Sequence, residues 1–381
     1  MTRNMLGNPE LIELIRARIA SGGPVSFHWF MEQALYHPRH GYYASGRAVI
    51  GNRGDFFTSV SVGSLFGKLL AGQFLEMWGH LGKPDPFTLV EQGANTGDFA
   101  SDVLSALKLA STDCFSALRY VIVEPFDPLR ERQSRKLQSF PQVRWQKSIG
   151  ELEPFCGVHF SNELLDAMPV HLVRFNAGVW RELHVDERFE LIDGPLSSSA
   201  LAEKTGHLPP IENYRSEVNL DALAWIESLA SRLTRGYVLA IDYGYPREIY
   251  YSPERSCGTL ACCANHRRGE NPFEAIGRAD ITAHVDFTSL AAHAEKNGFR
   301  LAGFTDQHHF MVGLGSREFG DAAEPPTPER QKSMRAFQTL MHPNFMGMSF
   351  KVMALGRAVG NEPLQGFAFA ADPRSALGLD D

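Results

Sequence analysis

The chain has 381 residues, 44% of them hydrophobic and 21% charged, with a formal net charge of -7 at neutral pH. That length suits one large domain with insertions or two domains, and the mild acidity leaves no electrostatic footprint for nucleic acid or an anionic membrane. No apolar stretch approaches the roughly 20 residues of a membrane span, and the first residues lack a long apolar segment followed by a small-residue cleavage site. The expectation is a cytoplasmic protein with neither nucleic acid nor membrane as partner.

Residues 8 to 36 give two helical patterns around Gly22-Gly23-Pro24, with Ser26 placed to cap the second from Phe27 to Leu35. After Gly41-Tyr42-Tyr43 comes a loop rich in small and polar residues, Gly51 to Ser59, and then an apolar helix from Leu65 to Trp78. Loops of that kind often cover a ligand, although a plain surface turn has the same composition.

Phe87-Thr-Leu-Val-Glu-Gln-Gly-Ala-Asn-Thr-Gly-Asp98 reads as a buried strand, a tight glycine turn and a helix start. The apolar run Phe87, Leu89, Val90 fits a central parallel strand. Gly93 and Gly97 bracket Ala94-Asn95-Thr96, and asparagine is the residue after glycine that best tolerates a left-handed backbone. The turn therefore brings bare backbone to a ligand, and the amides of the helix from Asp98 point back at it. A second strand, Tyr120 to Val123, ends in Glu124. After a helix with a charged, solvated face over 129–137, Val143-Arg144-Trp145 forms a third strand, leading to Ser148 and Ile149.

The pattern E-x-G-x-N-x-G lacks the third glycine of a dinucleotide fingerprint, and the turn holds no basic residue. Acids at the ends of two consecutive strands, with no cation in the turn, suit a nucleoside ligand without phosphates. S-adenosylmethionine fits: Glu91, Gly93, Asn95 and Gly97 take its methionine end, the Glu124 carboxylate takes the ribose diol, and Ser148 and Ile149 meet the adenine. An ordinary βαβ unit with a glycine turn presents the same two segments. A nicotinamide dehydrogenase would need phosphate contacts that this turn lacks.

A fourth strand, Gly157 to Ser161, runs into Asn162, Glu163 and Asp166, polar groups at the carboxyl end of a strand, where ligands of open α/β sheets sit. Two carboxylates three residues apart at the start of a helical turn can share a face and hold a guanidinium or another acceptor; they can equally favour a helix N-terminus. Residues 170 to 215 interrupt the alternation with a hairpin around Asn176-Ala177-Gly178, a substrate-side wall. A helix from Leu220 to Leu233, a fifth strand from Tyr237 to Ile241 and a long loop over 245–279 follow, then a helix from Thr288 to Asn297, a strand from Arg300 to Thr305 and an edge-type strand from Met348 to Leu355. Cys257, Cys262, Cys263 and His266 crowd together without metal-ligand spacing, so no metal is expected.

The segments Phe30 to Tyr43, Gly54 to Ser59, Leu65-Phe66-Gly67, Ser161 to His171, Asp242-Tyr243-Gly244 and Asp280 to Phe287 resemble the MidA-like methyltransferases, in the family's order. The residue pattern itself gives the substrate-side insertions at about 170–215 and 245–279 and, with no sustained period after Gly356, a loosely held tail over 357–381. The resemblance implies a Rossmann-like class I methyltransferase sheet with an N-terminal helical cover over 1–84 and a core over 85–356. It implies S-adenosylmethionine as cofactor, with Asp55 and Thr58 closing over it. It also implies a protein side chain as acceptor, an arginine nitrogen by analogy with a family member, held by Asn162, Glu163 and Asp166. A small-molecule methyltransferase or a noncatalytic assembly factor would keep the same cofactor half. Two departures stand out: Ala94-Asn95 replaces the family's Pro-Gly, and Val60-Ser61 its Pro-Glu.

Overall fold

The computed structural model describes residues 7–44, 59–264, 267–319, 327–342 and 347–379. Contacts divide the chain into two compact units: Met1–Phe56, Leu165–Ala224 and Arg247–Asp286 form one, and Phe57–Leu164, Trp225–Pro246 and Phe287–Asp381 the other. The division does not follow the order of the chain. Its physical reason is in the pairing described below.

In the first unit, the helices Pro9–Gly22 and Phe27–Tyr36 form as their spacing predicts. Asn8 caps the first, accepting from the Glu10 amide at 3.1 Å, and Ser26 caps the second, accepting from the Trp29 amide at 3.2 Å. The expected hairpin is present as His171–Asn176 and Val179–Val185, with Ala177 and Gly178 at φ 51° and 78°, both in the left-handed region that a tight two-residue turn requires. Val25 pairs with Val185, so the short extended link between the two helices becomes an edge of the hairpin's sheet. Leu11, Ile15, Phe27, Phe30 and Met31 then share one buried core with Leu172, Leu183 and Val185. The N-terminal cover and the first insertion are therefore one packing unit.

The second unit is built on a central sheet whose strands, in chain order, are β1 (Phe87–Gln92), β2 (Leu118–Val123), β3 (Val143–Gln146), β4 (Phe155–Asn162), β5 (Leu233–Tyr245), β6 (Arg300–Asp306) and β7 (Phe350–Arg357). They lie in the spatial order β6-β7-β5-β4-β1-β2-β3. β1 to β5 run parallel where they pair, and β7 is antiparallel to both β5 and β6. The chain thus leaves β1 outward through β2 and β3, then returns to β1's other side for β4. That reversal puts a topological switch point at the carboxyl ends of β1 and β4.

Helix Leu65–His80, expected within the cover, packs instead in this unit's core through Phe66, Leu70, Phe74 and Met77. Two further expectations are corrected. The last strand is not an edge: β7 lies between β5 and β6, because it can donate and accept antiparallel hydrogen bonds on both sides. Nor is the segment after Gly356 loose. Leu364 and Leu377 are buried, Thr288 Oγ1 donates to the Leu377 carbonyl at 2.7 Å, and the Gly366 amide donates to Gln73 Oε1 at 2.9 Å. Two apolar anchors and two buried hydrogen bonds hold a stretch whose sequence shows no periodicity.

The sheet's middle is closely packed at glycine. Gly157 of β4 pairs with Thr88 of β1 and with Gly236 of β5, and a Cβ at Gly157 would lie 1.8 Å from the Thr88 carbonyl oxygen. Neither neighbour is a movable side-chain end. Gly157→Ala is expected to destabilise the protein by about 3 kcal/mol or more, measured by urea unfolding; an unchanged midpoint would show that the strands separate at no cost.

Candidate active site

The loop after β1 has the backbone its residue types allow. Gly93, Asn95 and Gly97 carry φ of 81°, 43° and 82°, and the Gly97 amide closes the turn on the Ala94 carbonyl at 2.7 Å. Asn95 thus takes, in the place of a glycine, the left-handed conformation that asparagine tolerates. The backbone of Gly93 is exposed, whereas Gly97 is packed against Leu137 and Gln133. Helix Asp98–Ala110 starts directly from Gly97 with no side-chain cap, which leaves its first amides to an outside acceptor. Asp98 pairs with Lys136; burial opposes its charge, but hydrogen bonds from Lys136 and Thr96 prevail and hold its pKa low.

Glu124 follows β2 directly, its amide bonded to the Gln146 carbonyl of β3 at 2.9 Å. Its carboxylate is buried; Oε1 accepts from the Phe126 amide at 3.1 Å and Oε2 from Gln133 Nε2 at 3.0 Å. Burial, only partly offset by those two donors and by the Arg130 charge, raises its pKa to about 7. Each carboxylate oxygen accepts a single hydrogen bond from these partners, so each retains capacity for a second.

Glu91 is also buried, but it does not join Glu124. Its Oε2 accepts from the Tyr120 hydroxyl at 2.7 Å on the face of β1 that packs against helices Leu65–His80 and Asp98–Ala110, and burial, with a contribution from Asp98, raises its pKa to about 7 against the Tyr120 hydrogen bond. On the opposite face Gln92 Oε1 accepts from Trp225 Nε1 at 3.0 Å. Ser148 and Ile149 lie just past β3, Ser148 exposed and extended, Ile149 buried at the start of a short 3-10 turn.

Across the switch point, Asn162 ends β4. Its carbonyl oxygen lies 3.9 Å, and Leu164 Cδ1 3.6 Å, from where a Gly93 Cβ would stand, so the turn after β1 lies beside the end of β4. Asn162 Nδ2 donates to Glu163 Oε1 at 3.0 Å, while the buried Asn162 Oδ1 has no hydrogen-bond partner among the described residues. Glu163 has φ of 53°, a strained conformation for a residue other than glycine or asparagine. Asp242 holds this corner: its buried carboxylate accepts the amides of Leu164 at 3.1 Å and Tyr243 at 2.9 Å, and the Glu163 amide bonds the Ile241 carbonyl at 3.0 Å.

The expected helical turn at 163–166 is absent. Those residues form bends and turns, because the Glu163 amide is spent on β5 and its left-handed φ breaks any helical run. Asp166 is buried in the first unit, where its carbonyl accepts from the Ala283 amide at 2.9 Å and its charge helps raise the pKa of Tyr43. In that same unit Tyr43 donates to Asp280 at 2.8 Å and Tyr36 to the Ala167 carbonyl at 2.9 Å. Three motifs far apart in the chain meet there. Asp55, Thr58 and His266 lie outside the described residues.

Sequence reasoning missed Tyr120, Gln133 and Trp145. For Gln133 a signal existed: it lies four residues from both Leu129 and Leu137, on the one buried stripe of an otherwise charged helix, Asp127–Lys136.

A parallel sheet reversing at β1 and β4, a left-handed glycine turn at the reversal and a buried acid after β2 define a class I methyltransferase fold with a nucleoside-cofactor site. The comparisons with known proteins carry this further. A family model for S-adenosyl-L-methionine-dependent methyltransferases matches residues 69–305. A crystal structure of a superfamily member from Burkholderia thailandensis, bound to S-adenosyl-homocysteine, is 32% identical over 96% of each chain with a TM-score of 0.85. The mitochondrial protein arginine methyltransferase NDUFAF7 of Homo sapiens is 27% identical over 94% of this chain and 85% of its own length, and its Drosophila melanogaster homologue 28% over 92% and 85%. The chain belongs to the MidA-like family of S-adenosyl-L-methionine-dependent methyltransferases. It is a methyltransferase, and S-adenosylmethionine is its cofactor.

The cytoplasmic expectation is corrected by the same comparison, since these curated relatives are mitochondrial proteins. Charge and hydropathy report compatibility with an aqueous compartment, not which one. Among the described residues no helix is long and apolar enough to cross a membrane.

Glu91 makes stability depend on pH in a predictable direction. Its pKa rises from 4.5 to about 7 on folding, so its contribution is fully favourable below 4.5 and is lost as pH rises through 7. Relative to Glu91→Gln, the wild type is expected to lose on the order of 3 kcal/mol of stability between those pH values, read from unfolding midpoints; a constant difference across the window would contradict the assignment.

Proposed function

We propose that this methyltransferase acts on a protein side chain, with an arginine nitrogen as the methyl acceptor. One observation carries the reading: Glu163, a carboxylate, stands in a strained left-handed conformation at the switch point, next to an asparagine with an unsatisfied buried oxygen. Strain kept at such a place signals a constraint other than stability. The names of the curated relatives support arginine in particular.

The residues present fit the cofactor. The exposed Gly93 backbone, the left-handed Asn95 and Gly97 and the uncapped helix start offer small, donor-rich surface to a carboxylate and amine. Glu124 offers the remaining acceptor capacity of its oxygens to a ribose diol, and Ser148 and Ile149 flank the adenine. Glu91 supports the turn from beneath through Tyr120. When bound, S-adenosylmethionine supplies an electrophilic methyl group on a sulfonium. Asn162 and Glu163 then hold the guanidinium by charge-assisted hydrogen bonds, orient the attacking nitrogen and stabilise the cation until it loses its proton. The parts assigned to Asp166, Asp55 and Thr58 rest on the motif resemblance.

Calorimetry with S-adenosylhomocysteine tests the cofactor half: Glu124→Ala is expected to weaken binding by about 1 to 3 kcal/mol, the scale of a lost buried hydrogen-bond partner. For the acceptor half, the protein is incubated with labelled S-adenosylmethionine and lysate proteins. Glu163→Gln is expected to cut transfer by about 100-fold or more while keeping S-adenosylhomocysteine affinity within about twofold. Label found on a small molecule or on a residue other than arginine would replace the acceptor proposed here, and undiminished transfer by Glu163→Gln would remove Glu163 from it.

A further inference from the structure

We infer that Gln133 is a positioning residue for the cofactor, one amide that locks the glycine turn and the ribose-binding carboxylate into a single rigid unit. The inference rests on the proposed role of Glu124. Gln133 is fully buried, and every polar atom of its side chain is engaged: Oε1 accepts from Trp145 Nε1 at 2.9 Å, and Nε2 donates to the Asn95 carbonyl at 2.8 Å and to Glu124 Oε2 at 3.0 Å. The indole can only donate, so it fixes which end of the amide is oxygen and turns both N–H groups toward the site. An amide nitrogen has two hydrogens, and both are used.

The partners come from three separate segments. Asn95 belongs to the turn after β1, Glu124 to the end of β2, and Trp145 to β3. Through this one amide nitrogen the Asn95 carbonyl and the Glu124 carboxylate are tied together. The link holds Asn95 in its left-handed conformation at the position where the family has glycine, and it fills one acceptor site on Glu124 Oε2, as the Phe126 amide does on Oε1. The two oxygens are thereby held from the protein side, and their remaining lone pairs are left for a ligand. The Arg130 charge favours the ionised Glu124, while burial acts against it. Losing the Gln133 donor therefore makes the charged carboxylate harder to form. Leu129 and Leu137, one helical turn to either side, supply the apolar packing that keeps the amide from solvent.

The test is calorimetric titration of S-adenosylhomocysteine into the full chain between pH 5.5 and 9, for wild type, Gln133→Met, Glu124→Gln and their double variant. Gln133→Met, similar in volume, is expected to weaken binding about tenfold or more and to move the pH at which binding tightens upward from its wild-type value near 7. Glu124→Gln is expected to abolish that inflection, and the double variant to lose less than the product of the single effects. A substitution that merely loosened the fold would weaken binding without moving the inflection. Should Gln133→Met fail to fold, Trp145→Phe carries the test: it frees the amide to rotate and is expected to shift the inflection in the same direction. Wild type that does not bind overturns the cofactor site and this inference together. Binding that Glu124→Gln leaves unchanged overturns the ribose reading. An unmoved inflection in folded Gln133→Met or Trp145→Phe, with Glu124→Gln behaving as expected, overturns the Gln133 link alone.

Discussion

The parallel pairing of β1 with β4 is the constraint on which the rest of the second unit depends. It requires the chain to run out through two strands and return, so the carboxyl ends of these two strands become neighbours. Around those ends lie the glycine turn after β1, Asn162 at the end of β4 with Glu163 just beyond it, and Asp242 of β5, which accepts the Leu164 amide. Gly93 is required there by its left-handed φ of 81°, and close backbone approach demands glycine deeper in the sheet at Gly157 and Gly236. Side-chain volume is given up where backbones must meet.

Two buried carboxylates of similar raised pKa illustrate how position divides labour. Glu91 and Glu124 lie at the ends of neighbouring strands and are both hidden from water, yet Glu91 spends an oxygen on a tyrosine of the next strand, whereas Glu124 is gripped by a backbone amide and an amide side chain. The first joins β1 to β2 inside the core. The second keeps acceptor capacity directed away from its protein partners. Burial raises both pKa values for the same reason, the cost of a charge without water, and only the arrangement of donors separates the two.

The first unit shows a different economy. Its sheet combines a link between N-terminal helices with a hairpin from the middle of the chain, and its polar motifs converge through Tyr43, Asp280 and the Asp166–Ala167 backbone. Glu217 does similar work inside this unit, accepting from the Thr259 amide and hydroxyl and from the Leu260 amide, so that the segment following Tyr250 is held by a buried acid. Loops without periodicity are given shape here by carboxylates that satisfy their amides.

Much of this was legible in the residues, because local chemistry is short-ranged. The Ser26 and Asn8 caps, the Ala177-Gly178 turn, the left-handed Asn95, the strand preceding Glu124 and the helix from Asp98 each follow from a few neighbouring side chains, and the motif order carried the family. What the chain alone did not disclose are the partnerships between distant segments. Gln133 looked like part of a charged face until its stripe between Leu129 and Leu137 met the turn and the acid; the last strand looked like an edge because a sequence does not show how many neighbours a strand will have; and 163–166 looked helical because the claim of β5 on the Glu163 amide is not written nearby. Backbone propensity is set by adjacent residues. Which donor reaches which acceptor, and which carboxylate is left with capacity to spare, is decided only when packing removes water and brings separate loops within hydrogen-bonding distance.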